Sequence, residues 1–228
     1  MPALAKNWDE HVSAVDEVSR GRGFLRLRDQ IIELASPSHS DVVLDLGAGT
    51  GLLTLPVAEQ AEIVWAIDIS PAMCDRLRAR AAGEGLSNIN VVVASAVSLP
   101  LADSSVDVVV SNYCFHHLRD RDKERALSEV FRVLRPGGRL VFADMMFRVG
   151  LVNSRDRTVI LTKVVGILAK GPAGLMRLAK NLARYLSGRW EQPARADWWQ
   201  AALGDTGFAG IEVRVLEHEG GLASARRP

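Results

Sequence analysis

The sequence predicts an α/β protein built on a doubly wound, mostly parallel sheet. Two patterns carry that expectation. Short, wholly apolar runs alternate with helical segments from Val42 to Asp144, and a glycine-rich loop follows the first of those runs. Strands apolar at nearly every position are buried on both faces, the condition of a parallel sheet held between two helical layers. Ligands of such sheets bind beyond the carboxyl ends of the strands.

Residues 1–40 read as N-terminal helices. Trp8, Val12, Val15 and Val18 recur at helical spacing, and Leu27, Ile31 and Leu34 do so again after "GRG" at 21–23. "SPSHSD" then breaks the chain. "VVLDL" (42–46) is the first strand, followed by a helix over Leu52 to Gln60. "IVWAID" (63–68) is the second strand, and "SPAMCDRLRARAAGEG" a helix with Ser70 as N-cap and Pro71 in its first turn, where a missing N–H costs nothing. "INVVVA" and "VDVVVS" are the third and fourth strands. Leu127, Val130, Phe131 and Leu134 form one stripe of a helix over Arg121 to Leu134. "RPGG" (135–138) is expected to stop that helix before a fifth strand, "RLVFAD" (139–144).

The alternation lapses between 150 and 200. Two helices separated by "GPAG" (171–174) and a third, "DWWQAAL", are expected there, before "FAGIEVRVLE" (208–217) resumes strand character. The chain is therefore read as one domain, 1–228: N-terminal helices (1–40), a ligand-binding core (41–149), a helical lid or acceptor insertion (150–203) and C-terminal strands (204–228).

Composition narrows the partners. A chain of 228 residues, 48% hydrophobic and 24% charged, suits one soluble globular domain with a sizeable core. A net charge of +1 supplies no global field toward nucleic acid or membrane. Two cysteines, Cys74 and Cys114, without a CxxC argue against a disulfide framework or a structural zinc site. Charges interrupt the N-terminus where a signal peptide needs its apolar segment, and no apolar run nears the roughly 18 residues of a membrane span. A cytoplasmic location is the expectation.

The loop "VLDLGAGTG" (43–51) carries the chemistry. Gly47, Gly49 and Gly51 are spaced G-x-G-x-G, and Leu52 stands where a dinucleotide-binding loop needs its third glycine. No Lys-Ser or Lys-Thr pair follows, so the Walker pattern fails too. Asp45, beside the loop, would repel a phosphate but attract an ammonium or sulfonium. Asp68 ends the second strand, where a carboxylate can accept from both hydroxyls of a ribose. A ribose with a cationic tail and no phosphate describes S-adenosyl-L-methionine.

"VLDLGAGTG", "AIDIS", "LPLADSSVDVVVSNYCFHHL" and "ALSEVFRVLRPGGRLVFAD", in that order, resemble the class I S-adenosylmethionine-dependent methyltransferases, nearest the small-molecule branch that includes the ubiquinone and menaquinone biosynthesis enzymes. The resemblance runs from about Asp41 to Asp144 and returns weakly at 204–217. It implies a Rossmann-like, seven-stranded sheet. It also implies that Gly47, Ala48, Gly49 and Gly51 line the methionine part of the cofactor, with Asp45 near its amino group. Asp68 would take the ribose, Ile69 would lie against the adenine, and Asn112 would sit near the sulfonium and the acceptor. Where the family often has Asp-Ala to accept from the adenine amino group, this chain has Ser95-Ala96; a hydroxyl accepts more weakly than a carboxylate.

Tyr113, His116, His117 and Asp144 are the candidate catalytic bases, by their place after the fourth strand and at the end of the fifth. Adjacent histidines in extended backbone point apart, and no third ligand stands nearby, so no metal is expected. "SNYC" (111–114) lacks the Asn-Pro-Pro-aromatic signature of adenine- and glutamine-methylating enzymes, which argues against nucleic acid as partner. The acceptor is then a small molecule, apolar or aromatic, methylated on oxygen, carbon or nitrogen. A protein of the same fold that binds the cofactor without methyl transfer, as a cyclisation or elimination catalyst or a regulatory partner, is the alternative.

The segment 155–189 holds eight Lys or Arg against one acid, Asp156. Leu175, Leu178, Leu182 and Leu186 fall opposite Arg177, Lys180 and Arg184, an amphipathic basic helix. It is read as a lid, with peripheral membrane contact or a dock for an anionic carrier as the other readings, and without stable membrane insertion. "TVILTKVVGILAK", apolar nearly all round, is expected to be buried. A monomer and a homodimer both fit.

Overall fold

The structure, a computed structural model, describes residues 7–147, 192–216 and 219–228, with scattered residues between 158 and 178. A 3-10 turn, Trp8–His11, leads into α1 (Val12–Ser19) and α2 (Arg22–Ala35). The core follows as β1 (Val42–Leu46), α3 (Thr54–Ala58), β2 (Ile63–Asp68), α4 (Pro71–Gly83), β3 (Ile89–Val93), β4 (Val106–Asn112), α5 (Asp120–Val133) and β5 (Leu134–Met145). Beyond the insertion come α6 (Ala196–Thr206), β6 (Ala209–Val215) and β7 (Gly220–Arg226). The expected C-terminal unit from 204 thus opens on the last turn of a helix.

The strands form one seven-stranded sheet in the order β3-β2-β1-β4-β5-β7-β6. Its first five strands pair in parallel, whereas β7 pairs antiparallel with both β5 and β6. Side chains alternate between two cores, as the pleat requires. Leu44, Leu46, Val109, Leu140 and Phe142 face α5 and α6, meeting Leu127, Val130, Trp199 and Leu203. Val43, Val108, Val110 and Val141 face the opposite layer, meeting Leu27 and Ile31 of α2 and Val57 of α3. Burial on both sides is why these strands carry so few polar residues.

Ser70 caps α4 and accepts from the Met73 N–H, with Pro71 in the first turn, as its sequence predicts. Four expectations need correction. "RPGG" does not separate helix from strand: β5 begins at Leu134, paired with Val106, and the register to β4 shifts before Arg139 pairs with Val108. Gly137, at φ 82°, makes that irregularity. The first crossover helix is shorter than Leu52 to Gln60, because Leu52 and Leu53 still belong to the turn of the glycine loop. Trp8, read in one helix with Val12, Val15 and Val18, stands instead in the 3-10 turn before α1, and α1 buries no residue. Finally, Leu161, Val165 and Leu168 of the "TVILTKVVGILAK" segment are exposed rather than buried, as are Leu175 and Met176 after it. Leu182, Leu186, Arg177, Lys180 and Arg184 lie outside the described residues, so the amphipathic pattern of that helix does too. No helix among the described residues is long and apolar enough to cross a membrane.

Candidate functional site

The order of the sheet reverses between β1 and β4, and the loops leaving the carboxyl ends of those two strands open a crevice there. One wall is the glycine loop. Gly47, Gly49 and Gly51 have φ of 74°, 53° and 98°, the left-handed region that favours glycine. At Gly47 there is a second reason: an added Cβ would stand 2.5 Å from Cys114 Sγ. The turn is held from below by the Gly47 and Ala48 N–H groups, which donate to the Ile67 carbonyl at 2.8 and 3.0 Å.

Two carboxylates meet at this loop. Asp45 is buried, and its Oδ2 accepts from Thr54 Oγ1 at 2.6 Å. Burial, opposed by the Thr54 bonds and reinforced by the charge of Asp68, raises its pKa from 3.8 to about 7. Asp68 accepts from the Gly49 N–H at 2.8 Å and from the Ser70 N–H at 2.9 Å, one bond to each oxygen. Burial raises its pKa too, against those backbone bonds. Two carboxylates pushed upward in one crevice exclude an anion and favour a cation.

Beyond Asp68 the surface is apolar where an adenine would need it. Ile69 is 56% exposed at the strand edge, and Val93, ending β3, is exposed beside it. Ser95 turns back on its own loop: its Oγ accepts from the Val97 N–H at 3.4 Å, and its carbonyl from the Ser98 N–H. Ala96 packs against the core beneath. Across the crevice, Asn112 ends β4 with its buried Oδ1 unpartnered, an acceptor available to a ligand.

The other wall gathers all four candidate bases. Tyr113, at φ 55°, turns the chain out of β4 into a 3-10 turn, Phe115–His117. The two histidines are therefore not in extended backbone, as the sequence suggests; their rings meet at a tilt of 50°, with centroids 3.8 Å apart. His116 is buried and pairs through Nδ1 with Asp144 Oδ1 at 2.6 Å, while its backbone N–H donates to Asp144 Oδ2 at 3.1 Å. Asp144, buried at the end of β5, also accepts from the Met145 N–H. With Nδ1–H donated to the carboxylate, the lone pair of His116 lies on Nε2. Burial, with Glu219 and Asp144 nearby, pushes the Tyr113 phenol further up, so it stays protonated and serves as a donor. Among the described residues no group of three or more potential ligands could hold a metal.

Sequence reasoning expects the N-terminal helices to close over the acceptor but names none of the residues by which they do so. The turn Trp8–His11 and α1 lie across both walls: Trp8 packs edge-on against His117 with ring centroids 4.4 Å apart, Asp9 bonds Ser70 and Ala72, and Val15 stands over Gly49. No signal in residues 7–16 marks Asp9 or Trp8 as part of the site, since each reads as an ordinary member of a surface helix. Trp199, by contrast, is core, meeting Phe115 and Phe142 edge-to-face with Trp198 beside it, and Trp190 lies outside the described residues.

The residues present fit S-adenosylmethionine: an unpartnered acceptor at Asn112, an apolar ledge at Ile69, and a pair of carboxylates that welcome a cation. Comparison with known proteins agrees. Residues 44–142 match the methyltransferase domain family. An uncharacterized methyltransferase of Mycobacterium tuberculosis is 41% identical over 145 residues, covering 63% of this chain and 52% of that one. A methyltransferase structure from Aquifex aeolicus, 18% identical, superposes with a TM-score of 0.67 over 95% of this chain and 98% of its own. A phosphoethanolamine N-methyltransferase of Haemonchus contortus, solved with phosphoethanolamine and S-adenosylhomocysteine, is 27% identical with a TM-score of 0.54, over 64% of this chain and 33% of that one. The chain spans between 52% and 65% of the length of the curated relatives it matches. In its ordered motifs, its sheet and the domain matched over residues 44–142, the chain is similar to the S-adenosylmethionine-dependent methyltransferases.

Proposed function

We propose that this protein transfers a methyl group from S-adenosylmethionine to an oxygen, carbon or nitrogen of a small, apolar or aromatic acceptor. When bound, the cofactor supplies an electrophilic methyl on a sulfonium sulfur. Gly47, Ala48, Gly49 and Gly51 shape its binding turn, Asp45 attracts its positive end, and Asp68 offers its remaining lone pairs to the ribose hydroxyls. S-adenosylhomocysteine in the Haemonchus structure supports this assignment.

The observation that carries the acceptor side is the His116–Asp144 pair, held at 2.6 Å behind the carboxyl ends of β4 and β5. Asp144 fixes the imidazole so that Nε2 can take a proton from an acceptor, and it stabilises the imidazolium that results. An acceptor that must lose a proton before or during attack is what such a pair serves; the enzyme otherwise has to align nucleophile, carbon and sulfur. Ring contacts favour a flat acceptor. Phe24, Tyr113, His116, His117, Trp8 and His11 form a continuous chain of rings, each neighbour within 5.8 Å, from α2 across the β4 loop to the N-terminal turn.

The test has two stages. Calorimetry with S-adenosylhomocysteine should give saturable binding that Asp68→Ala weakens at least roughly tenfold, since two charge-assisted bonds to the ribose would be lost. Labelled cofactor should then pass its methyl to members of an acceptor panel of phenols, enols and amines. Binding without transfer to any of them would favour a cofactor-binding role without methylation.

A further inference from the structure

Two consecutive residues of the N-terminal turn reach opposite halves of the crevice. Asp9 Oδ1 accepts from the Ser70 hydroxyl and from the Ala72 N–H, at 3.2 Å, so that it sits on the N-terminus of α4. Ser70 in turn donates its own N–H to Asp68 Oδ1. The path Asp9–Ser70–Asp68 therefore ends on the carboxylate assigned to the ribose. Trp8 packs instead on His117, whose ring leans at a tilt against His116. One helical turn further on, Val15 lies over Gly49, and Asp16 pairs with Arg76 of α4 at 2.9 Å.

α1 buries no residue of its own. Among the described residues, polar bonds to α4, the edge of Trp8 on His117 and Val15 over Gly49 hold the N-terminal segment, so its docking is sensitive to how firmly those partners are fixed. Asp68 and Ser70 are such partners. A ribose that fixes Asp68 also stiffens the Ser70 N–H and the first turn of α4, on which Asp9 rests.

We propose that Asp9 is a positioning residue through which cofactor binding firms the seat of Trp8 on the acceptor side, so that the wall of the acceptor site is held fast once the cofactor is bound. The proposal rests on Asp68 binding the cofactor. The order it imposes is cofactor first, acceptor second. Asp9 touches neither; it acts through Ser70 and the start of α4.

Hydrogen exchange on the full chain, with and without saturating S-adenosylhomocysteine, reads this directly. In the wild type the cofactor product should slow exchange in peptides covering 7–19 and 115–118 by about fivefold or more. Asp9→Ala should still bind S-adenosylhomocysteine but lose the slowing in both peptides. Asp9→Asn, which keeps an acceptor oxygen, should retain it. Trp8→Ala should keep the slowing at 7–19 and lose it at 115–118. Undiminished slowing in Asp9→Ala, or at 115–118 in Trp8→Ala, would overturn the coupling while leaving the cofactor assignment intact. Should Asp9→Ala fail to fold, Ser70→Ala removes the hydroxyl bond to Asp9 and leaves the Ala72 N–H bond, so the slowing should diminish in both peptides, and undiminished slowing in it would overturn the coupling. A wild type that does not bind S-adenosylhomocysteine by calorimetry would remove the cofactor assignment and this proposal together.

Discussion

His116 shows how much of the chemistry depends on single contacts. Its Nδ1–H, its backbone N–H and the Met145 N–H converge on the carboxylate of Asp144, which leaves that side chain little freedom. Asp144→Asn would present an amide whose N–H₂ can face Nδ1 and move the proton to Nε2, the wrong tautomer for a base. The expected result is a fall in kcat of roughly 10²- to 10³-fold with S-adenosylhomocysteine affinity held within about twofold, measured by initial rates and calorimetry. Ser95 makes the opposite case, a residue weaker than its position allows. Its hydroxyl already accepts from Val97 N–H, through a long bond. Ser95→Asp supplies a charged acceptor at the adenine end and should lower the Kd for S-adenosylhomocysteine roughly 3- to 10-fold by calorimetry; a rise in Kd would remove Ser95 from the adenine site. Asp45 and Asp68 were legible in the sequence because each is tied to the glycine loop by a strand end. The His116–Asp144 bond was not: the partners lie 28 residues apart, and the pairing depends on a 3-10 turn that "YCFHHL" does not announce.

At the scale of elements, the glycine loop and the β4 loop are fitted to each other through one contact. An alanine at Gly47 would carry its Cβ to 2.5 Å from Cys114 Sγ while holding φ at 74°. Both effects destabilise, and together they are worth about 1–3 kcal/mol. Gly47→Ala should therefore lower Tm and weaken cofactor binding, and adding Cys114→Ala should recover little of the loss, because the Cys114 Cβ itself stands 2.7 Å from the added carbon; thermal melts with and without S-adenosylhomocysteine measure both. The parallel strands were readable because burial on both faces leaves an unbroken apolar run. β7 was not, since "GGLASAR" is rich in small residues, and the reason lies in its neighbour: a Cβ at Gly221 would collide with Met146 of the chain leaving β5. "RPGG" misled for a related reason. Its glycines allow a register shift inside the pairing of two central strands, β4 and β5, a tertiary use of residues that locally read as a stop. The exposed Leu161, Val165 and Leu168 show the limit of pattern reading, because apolar composition states that burial would be favourable without naming the surface that provides it.

The whole molecule feels the crevice through its proton balance. Asp45 rises from 3.8 in an unfolded chain to about 7 in the folded one, with burial as the main cause. Between those values the folded protein binds a proton that the unfolded chain does not, so stability of the cofactor-free protein increases as pH falls from 8 toward 5. Each unit of pH in that window contributes up to about 1.4 kcal/mol from this one group. Asp68, raised in the same sense, adds to the trend. A ligand carrying an ammonium or sulfonium reverses it, because ionised Asp45 is then the favoured form and the proton must leave. Affinity for S-adenosylmethionine should accordingly strengthen roughly tenfold between pH 6 and pH 8 and level off above, with proton release on binding detectable by calorimetry in buffers of different ionisation enthalpy. Asp45→Asn removes this group's share and keeps the bond to the Thr54 hydroxyl: the stability profile should lose most of its slope, leaving what Asp68 contributes, and the affinity profile should become shallower. A wild-type affinity that is flat across the window, or an affinity slope undiminished in Asp45→Asn, would place the cationic end of the cofactor elsewhere in the crevice.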